Sequence, residues 1–415
     1  MPKNYQSINV YEAARERIIY CFNNFDIVQV AFSGGKDSGV MLNLTLEIAE
    51  ELDVLDRVIV FFQDCEAQYT LTHEYIVRAF ESLPKQVDKY WICLPTTYPT
   101  SCSMHQTFWK PWKKSEHDIW VRKMPEYEYV INEDNAEFNY DCSHYEFVKF
   151  VWPEYLLKKI GKSICTLVGI RADESYDRYR SIALAGGCKD VPGTTNGNIY
   201  VAWPIYDWTT TDVWVANAKF AWDYNKLYDM FYLAGLPAHE MRVASPFIEQ
   251  GQDNLKLYKT IEPHTWGKMV SRVNGVNFTS IYGGTTAMGW KNITKPEHFT
   301  WQEYANFLLS TLNKDIRDVY LDKLKTSIKF WKEKGGMLNE APEEYGFYRE
   351  NGLVKVDIYP DNVEGVKEFS KFPSWKRFCI CILKNDITCK YMGFAFTKKE
   401  NEKRKAAMEK WNNLL

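Results

Sequence analysis

The sequence predicts an α/β fold, a largely parallel sheet with helices on both faces, joined to a mostly helical C-terminal region. Three observations carry that expectation. Short apolar runs alternate with stretches of helical apolar spacing through the first 235 residues. The first run ends in a glycine pair that leads directly into a helical pattern. Beyond about residue 236, helical patterns dominate. The 415 residues exceed the usual single-domain length of roughly 100–200. We therefore expect a domain over 1–235, interrupted by an insertion at about 96–155, and a second over 236–415. Apolar residues make up 46% and charged residues 25%, which excludes a disordered or collagen-like chain.

The elements follow in order. Asn9 and Glu12 have capping-box spacing, and Val10, Ala13, Ala14, Ile18 and Cys21 continue at helical spacing, so a helix is expected over 9–25. Residues 27–32 (IVQVAF) read as the first strand. Ser33-Gly34-Gly35-Lys36-Asp37-Ser38 turns the chain, and Val40, Met41, Leu44 and Ile48 begin a helix. Residues 57–62, 87–94, 163–170 and 198–203 are the further strands, and 71–83 is a helix. The insertion carries Trp109, Trp112, Trp120, His105, His117 and His144, and is either a lid or recognition element or decorative packing. In the second half, 250–262, 300–312 and 316–334 read as helices, 335–366 as turn-rich, and 398–405 as a solvated mixed-charge helix.

Composition narrows the function classes. With 51 Lys+Arg against 54 Asp+Glu, the net charge is −3, so global charge does not indicate nucleic-acid binding, although a local patch stays open. The ten cysteines, at 21, 65, 93, 102, 142, 165, 188, 379, 381 and 389, form no CxxC pair and read as buried reduced thiols. Cys379, Cys381 and Cys389 would make a three-thiol face if 379–381 were a strand, but no fourth ligand lies near. No zinc or iron–sulfur site is therefore expected. The N-terminus lacks a signal-peptide pattern and no run approaches a membrane span, so a cytoplasmic protein without a membrane partner is expected.

The informative motif is Ser33-Gly34-Gly35-Lys36-Asp37-Ser38. Two glycines let the backbone approach an anion with no Cβ in the way. The N–H groups at the following helix start point to the same spot, where the helix dipole favours negative charge. Lys36 adds a full charge, and Ser33 and Ser38 bring hydroxyl groups. The combination suits a polyphosphate. Walker-loop spacing is absent.

This order of residues after a first strand resembles the PP-loop signature of the ATP pyrophosphatases and the phosphoadenosine phosphosulfate (PAPS) reductase/ATP sulfurylase small-subunit superfamily. Gly169-Ile170-Arg171-Ala172-Asp173-Glu174, with Arg178 and Arg180, resembles that superfamily's G-x-R-x-D-E-x-x-x-R element. Pro204-Ile205-Tyr206-Asp207-Trp208-Thr209-Thr210-Thr211-Asp212-Val213-Trp214 resembles its P-[LI]-x-x-W-[TS]-x-x-D-V-W element. Within that element Thr209 is a helix cap and Trp214 reads as architectural. A closer resemblance is to the DUF3440 group, which includes the immunoglobulin-binding regulator A protein. It rests on Ile8 through Ala14, on Asp64, Glu66, Gln68 and Tyr69, on Cys93-Leu94-Pro95, and on Tyr224 through Asp229. In the C-terminal half it adds Arg272-Val273-Asn274-Gly275, Thr294-Lys295-Pro296 and Pro373-Ser374-Trp375.

The resemblance implies an adenine nucleotide α-hydrolase-like fold that binds ATP or PAPS, with Mg²⁺. It implies nucleotide contacts from Ser33, Gly34, Gly35, Lys36, Asp37, Ser38, Asp64, Glu66, Gly169, Arg171, Arg178 and Arg180. The catalytic candidates are Lys36, Asp37 and Arg171, and the candidate Mg²⁺ ligands are Asp37 and Asp64. Asp37, Asp64 and Glu66 are equally readable as caps of the next helix. The expected reaction cleaves ATP between the α and β phosphates and adenylates sulfate or a nucleic-acid or nucleoside oxygen. The alternatives are a PAPS-dependent sulfur or sulfuryl transfer and a non-catalytic nucleotide sensor. A ParB-like partner is implied by gene neighbourhood in the DUF3440 group. The C-terminal E-C-G-[LI]-H motif of PAPS reductases is absent, which disfavours their usual cysteine chemistry.

Overall fold

A computed structural model describes residues 6–103, 106–184, 191, 193–196, 199–238, 240–248, 255–282, 295–366, 369–384 and 386–394. His105, Cys188, 250–254 and 398–405, singled out above, lie outside the described residues. The chain forms two compact units. One takes 1–98, 108–246 and 256–272, and the other takes 99–107, 247–255 and 273–415.

The first unit is built on a seven-stranded sheet of β1 (Ile27–Ala31), β2 (Val58–Gln63), β3 (Asp88–Ile92), β4 (Val130–Ile131), β5 (Ile164–Leu167), β6 (Gly193–Asn196) and β7 (Ile199–Ala202). Their spatial order is β4-β3-β2-β1-β5-β7-β6. Six strands run parallel, and only edge strand β6 is antiparallel, to β7. Both faces of the strands are buried. Val28, Val30, Val58, Val60 and Phe62 pack with helices α1 (Val10–Asn24) and α2 (Lys36–Glu51), while Ile27, Ile59 and Phe61 pack with Trp152 and Leu156. That is why these strands read as continuous apolar runs.

The chain adds strands outward from β1 through β4 and then returns to put β5 on the other side of β1. The order therefore reverses between β1 and β5, which opens a crevice at the carboxyl ends of those two strands.

Three local expectations change. The stretch inside the insertion supplies an edge strand, β4, through the Trp91–Val130 register, so it is partly sheet. The fourth strand, expected over 163–170, ends at Leu167. Cys379 and Cys381 sit on a helix, Trp375–Leu383, so the strand geometry that would have aligned their thiols does not exist. Positions two apart on a helix diverge around its axis.

The second unit packs helices Trp301–Thr311, Lys314–Glu333 and Trp375–Leu383 around Leu308, Tyr320, Leu324 and Phe378. A hairpin of β8 (Phe347–Glu350) and β9 (Leu353–Val356) joins this core through Phe347 and Val354. Its two-residue turn is Asn351-Gly352, both at positive φ, inside the stretch expected to be turn-rich. Among the described residues no helix is long and apolar enough to cross a membrane.

Candidate functional site

At the carboxyl end of β1, Phe32 still donates its N–H to Phe61 (2.9 Å), and the chain then turns away. Gly34 lies in the left-handed region at φ 73°. A Cβ there would also stand 2.8 Å from Ile76, so neither backbone nor space admits a side chain. Gly35 is the N-cap of α2 without a side-chain cap, and Lys36, Asp37 and Ser38 form its first turn. First-turn N–H groups have no acceptor within their own helix. They face the β1–β5 crevice with the positive end of the α2 dipole.

The serines tie the loop to itself. Ser38 Oγ donates to the Gly35 carbonyl (3.0 Å) and accepts the Ser33 N–H (3.1 Å), while the Ser33 and Ser38 hydroxyls lie 2.9 Å apart. Asn225 donates to the Gly34 carbonyl (2.9 Å) and to Thr72 (2.9 Å), pinning the loop from outside. The Tyr228 hydroxyl accepts the Lys36 N–H at 3.0 Å.

From the other wall of the crevice come Gly169 and Arg171, just after β5. A Cβ on Gly169 would stand 3.0 Å from the Asp37 backbone, so the segment after β5 lies against the first turn of α2 at a separation that suits glycine. Arg171 is 1% exposed. Its Nε donates to Asp37 Oδ1 (2.5 Å), Nη2 reaches Thr210 (3.3 Å) and Nη1 lies 3.6 Å from Asp173. The second Asp37 oxygen accepts from Lys36 Nζ at 3.1 Å. Lys36, Asp37 and Arg171 are thus brought together as an alternating charge triplet at the crevice. Thr209 caps the helix Thr210–Lys219 with a full capping box to Asp212, as its spacing predicts. Arg178, exposed on the helix Tyr176–Leu184, pairs with the partly buried Glu174 at 3.5 Å, and Arg180 is exposed. Burial pushes the Glu174 carboxyl up, and the Asp37 charge adds to that.

Asp64 and Glu66, after β2, belong to a separate buried network. Asp64 accepts the Glu66 N–H (2.8 Å), the Trp91 indole N–H (2.8 Å) and a hydrogen bond from Arg122. Glu66 is fully buried in a left-handed conformation at φ 63°, which a non-glycine residue rarely keeps without support. That support comes from the N–H groups of Trp112 (2.8 Å) and Val121 (2.9 Å) and from both ends of the Arg272 guanidinium (2.8 and 3.1 Å). Arg272 also holds Glu116 at 2.5 Å. Neither carboxylate acts as a simple cap of the following helix, whose N-cap is Tyr69 with no side-chain cap bond.

His73, one turn into that helix, is driven down to about 4 by burial and by the Arg122 charge, with Asp64 opposing. The Cys65 thiol is pushed up to about 12 by burial. His117 stacks edge-on with Trp120 and His144 lies face-on to Tyr98, so these two histidines of the insertion sit among rings. Among the described residues no group of three or more His, Cys, Asp or Glu could hold a metal ion. Both Asp37 oxygens are engaged with cations, and both Asp64 oxygens with N–H donors.

Sequence reasoning misses Arg122, and it includes Arg272, Asn225 and Tyr228 only in stretches that carry a resemblance, with no role for any of them. The physical signal for a role was weak, because each reaches its partner across 58 to 206 residues of chain.

Comparison with known proteins agrees with this architecture. A phosphoadenosine phosphosulfate reductase domain model matches residues 27–234, and a model of a domain of unknown function, DUF3440, matches 235–403. A protein of Escherichia coli (strain K12), described as uncharacterized protein YbdN, is 35% identical over 407 residues, covering 96% of this chain and 93% of its own length. Among solved structures, the PAPS reductase of Candida auris in a phosphate complex is 13% identical with a TM-score of 0.33, over 59% of this chain and 98% of that one. The FMN adenylyltransferase of Candida glabrata is 15% identical with a TM-score of 0.32, over 53% of this chain and 57% of that one. At these scores no residue role is carried over from either structure.

Proposed function

Because the chain belongs to the phosphoadenosine phosphosulfate reductase domain family, in the form that carries a DUF3440 region, we propose that it binds an adenine nucleotide by its phosphates at residues 33–38 and cleaves ATP between the α and β phosphates. One observation carries the reading. The turn at Gly34 brings the first turn of α2 to the β1–β5 crevice, where Lys36, Asp37 and Arg171 converge.

The proposed reaction uses that geometry. An acceptor oxygen attacks the α-phosphorus; a hydroxyl acceptor gives its proton to solvent, whereas sulfate has none to give. The α–β bridging P–O bond breaks, and its electron pair leaves with pyrophosphate. Lys36 stabilises the charge on the leaving group, and Arg171, with its rigid fork, orients the phosphate oxygens. Phosphate oxygens compete with Asp37 for both cations, which frees the carboxylate. A Mg²⁺ ion carried in with the nucleotide would offset phosphate charge, and the freed Asp37 carboxylate would be the group to hold it.

Three buried thiols are poorly suited to sulfur transfer through cysteine. Cys65 is held at about 12 and Cys102 at about 11 by burial, and burial also raises Cys93, so none of these three is an activated nucleophile. Full-length protein should release pyrophosphate from ATP in the presence of a competent acceptor, with multiple turnovers, and Lys36→Ala should abolish the release. Comparing thermal shifts with ATP and with PAPS separates the two nucleotides. Tight ATP binding with no release across sulfate, nucleoside and nucleic-acid acceptors would replace this reading with a nucleotide sensor, and the ParB-like partner would be the next thing to add.

A further inference from the structure

We propose that Tyr228 is a phosphate-binding residue, its phenolic O–H acting as one of the donors of the anion cradle. This rests on the reading of residues 33–38 as that cradle. The Tyr228 oxygen accepts the Lys36 N–H at 3.0 Å, so the first N–H of α2 already has a partner. The hydroxyl's own hydrogen has no acceptor among the described residues, although Tyr228 is only 3% exposed. A buried hydroxyl that accepts without donating is uncommon in folded proteins and asks for a partner that the chain does not supply.

The two serine hydroxyls of the loop differ from it in this respect. Ser38 spends its hydrogen on the Gly35 carbonyl, which leaves Ser33 as donor in the 2.9 Å contact between them. Of these three hydroxyls, that of Tyr228 is the one whose hydrogen is still available. Its position is also fixed. Trp214 packs against the ring edge-on at 5.2 Å and Phe231 at 6.2 Å. Asn225 accepts the Leu227 N–H (3.0 Å) at the start of the same helix (Leu227–Leu233) while holding Gly34. Lys36 Nζ stands 5.6 Å from the ring centroid.

A phosphate oxygen that accepts from Tyr228 completes a chain from the Lys36 N–H through the phenol to the anion. Each link of such a chain polarises the next. The phenol stays neutral in this role, because burial and the neighbouring Asp37 charge both raise it, so it donates and does not repel the anion.

The test is calorimetric titration of full-length wild type, Lys36→Ala and Tyr228→Phe with inorganic triphosphate, ATP and adenosine. Tyr228→Phe should weaken triphosphate and ATP about tenfold while leaving adenosine unchanged, the size expected for one donor to a charged group. A second measurement guards against a variant that unfolds. The fluorine resonance of 3-fluorotyrosine placed at 228 should shift on triphosphate addition, saturating with the calorimetric Kd. Tyr228→Phe binding triphosphate as well as or better than wild type would overturn the proposal and make Tyr228 a structural cap or a plug. An unmoved resonance during measured binding would do the same. Failure of wild type to bind triphosphate or ATP at all would instead overturn the cradle reading itself.

Discussion

At the scale of single residues, the charges of the first unit stay tolerable because they are paired before they are used. Arg272 is 2% exposed in its side chain and Glu66 is fully buried, so removing one partner strands the other in a medium that solvates it poorly. Arg272→Met should lower unfolding free energy by about 3–5 kcal/mol, read from urea denaturation, and adding Glu66→Gln should recover part of that loss. His73 makes a pH prediction whose sign is fixed. Its folded value lies near 4, below the ordinary histidine value of about 6.5, because of burial and Arg122. Between those values the unfolded chain takes up a proton that the folded chain refuses. Stability is therefore full above about pH 6.5 and falls as pH drops toward 4, by on the order of 1–3 kcal/mol. Comparing wild type with His73→Asn at pH 7, 6 and 5 should show a shallower fall in the variant. Lys36 and Arg171 were legible in the sequence because each sits within a few residues of the glycines that position it. Arg122, Arg272 and Tyr228 were not, since only the folded topology brings them to their partners.

At the scale of elements, the sequence reported starts better than ends. The side chains of Thr209, Thr300 and Asn9 each accept the N–H three residues on, and all three positions were expected as helix starts or caps. Thr209→Ala should cost about 1 kcal/mol in thermal or urea unfolding, since it removes half of a reciprocal cap beside the Arg171 contact to Thr210. The end of β5 was read three residues late because Val168, Gly169 and Ile170 continue the apolar run, while the close approach of Gly169 to α2 takes them out of the sheet. The hairpin at Asn351-Gly352 was present in the sequence as an Asn-Gly pair between apolar alternations and was passed over as generic turn. β4 and β6 are too short or too weakly apolar to stand out. The loop itself is the most sensitive element. Gly34→Ala forces a side chain into the left-handed region against Ile76, so it should cost about 1–3 kcal/mol in unfolding free energy and weaken ATP binding beyond detection.

At the scale of the whole molecule, the parallel-sheet class was visible because fully buried strands must be apolar on both faces, and no competing pattern produces several such runs between helices. The strand order was not visible. Apolar runs do not say on which side of β1 a later strand returns, and it is that return that sets Gly169 and Arg171 against the loop. Residues 99–107 join the second unit and 256–272 the first, so the chain crosses between units more than once, as a linear reading does not anticipate. One site, at the β1–β5 crevice, carries the proposed function. Hydrogen–deuterium exchange on the full-length protein, with and without ATP, tests it most directly. Protection should appear in peptides covering residues 33–39 and 168–172. An exchange pattern that ATP leaves unchanged in both segments, at concentrations well above any physiological level, would contradict it.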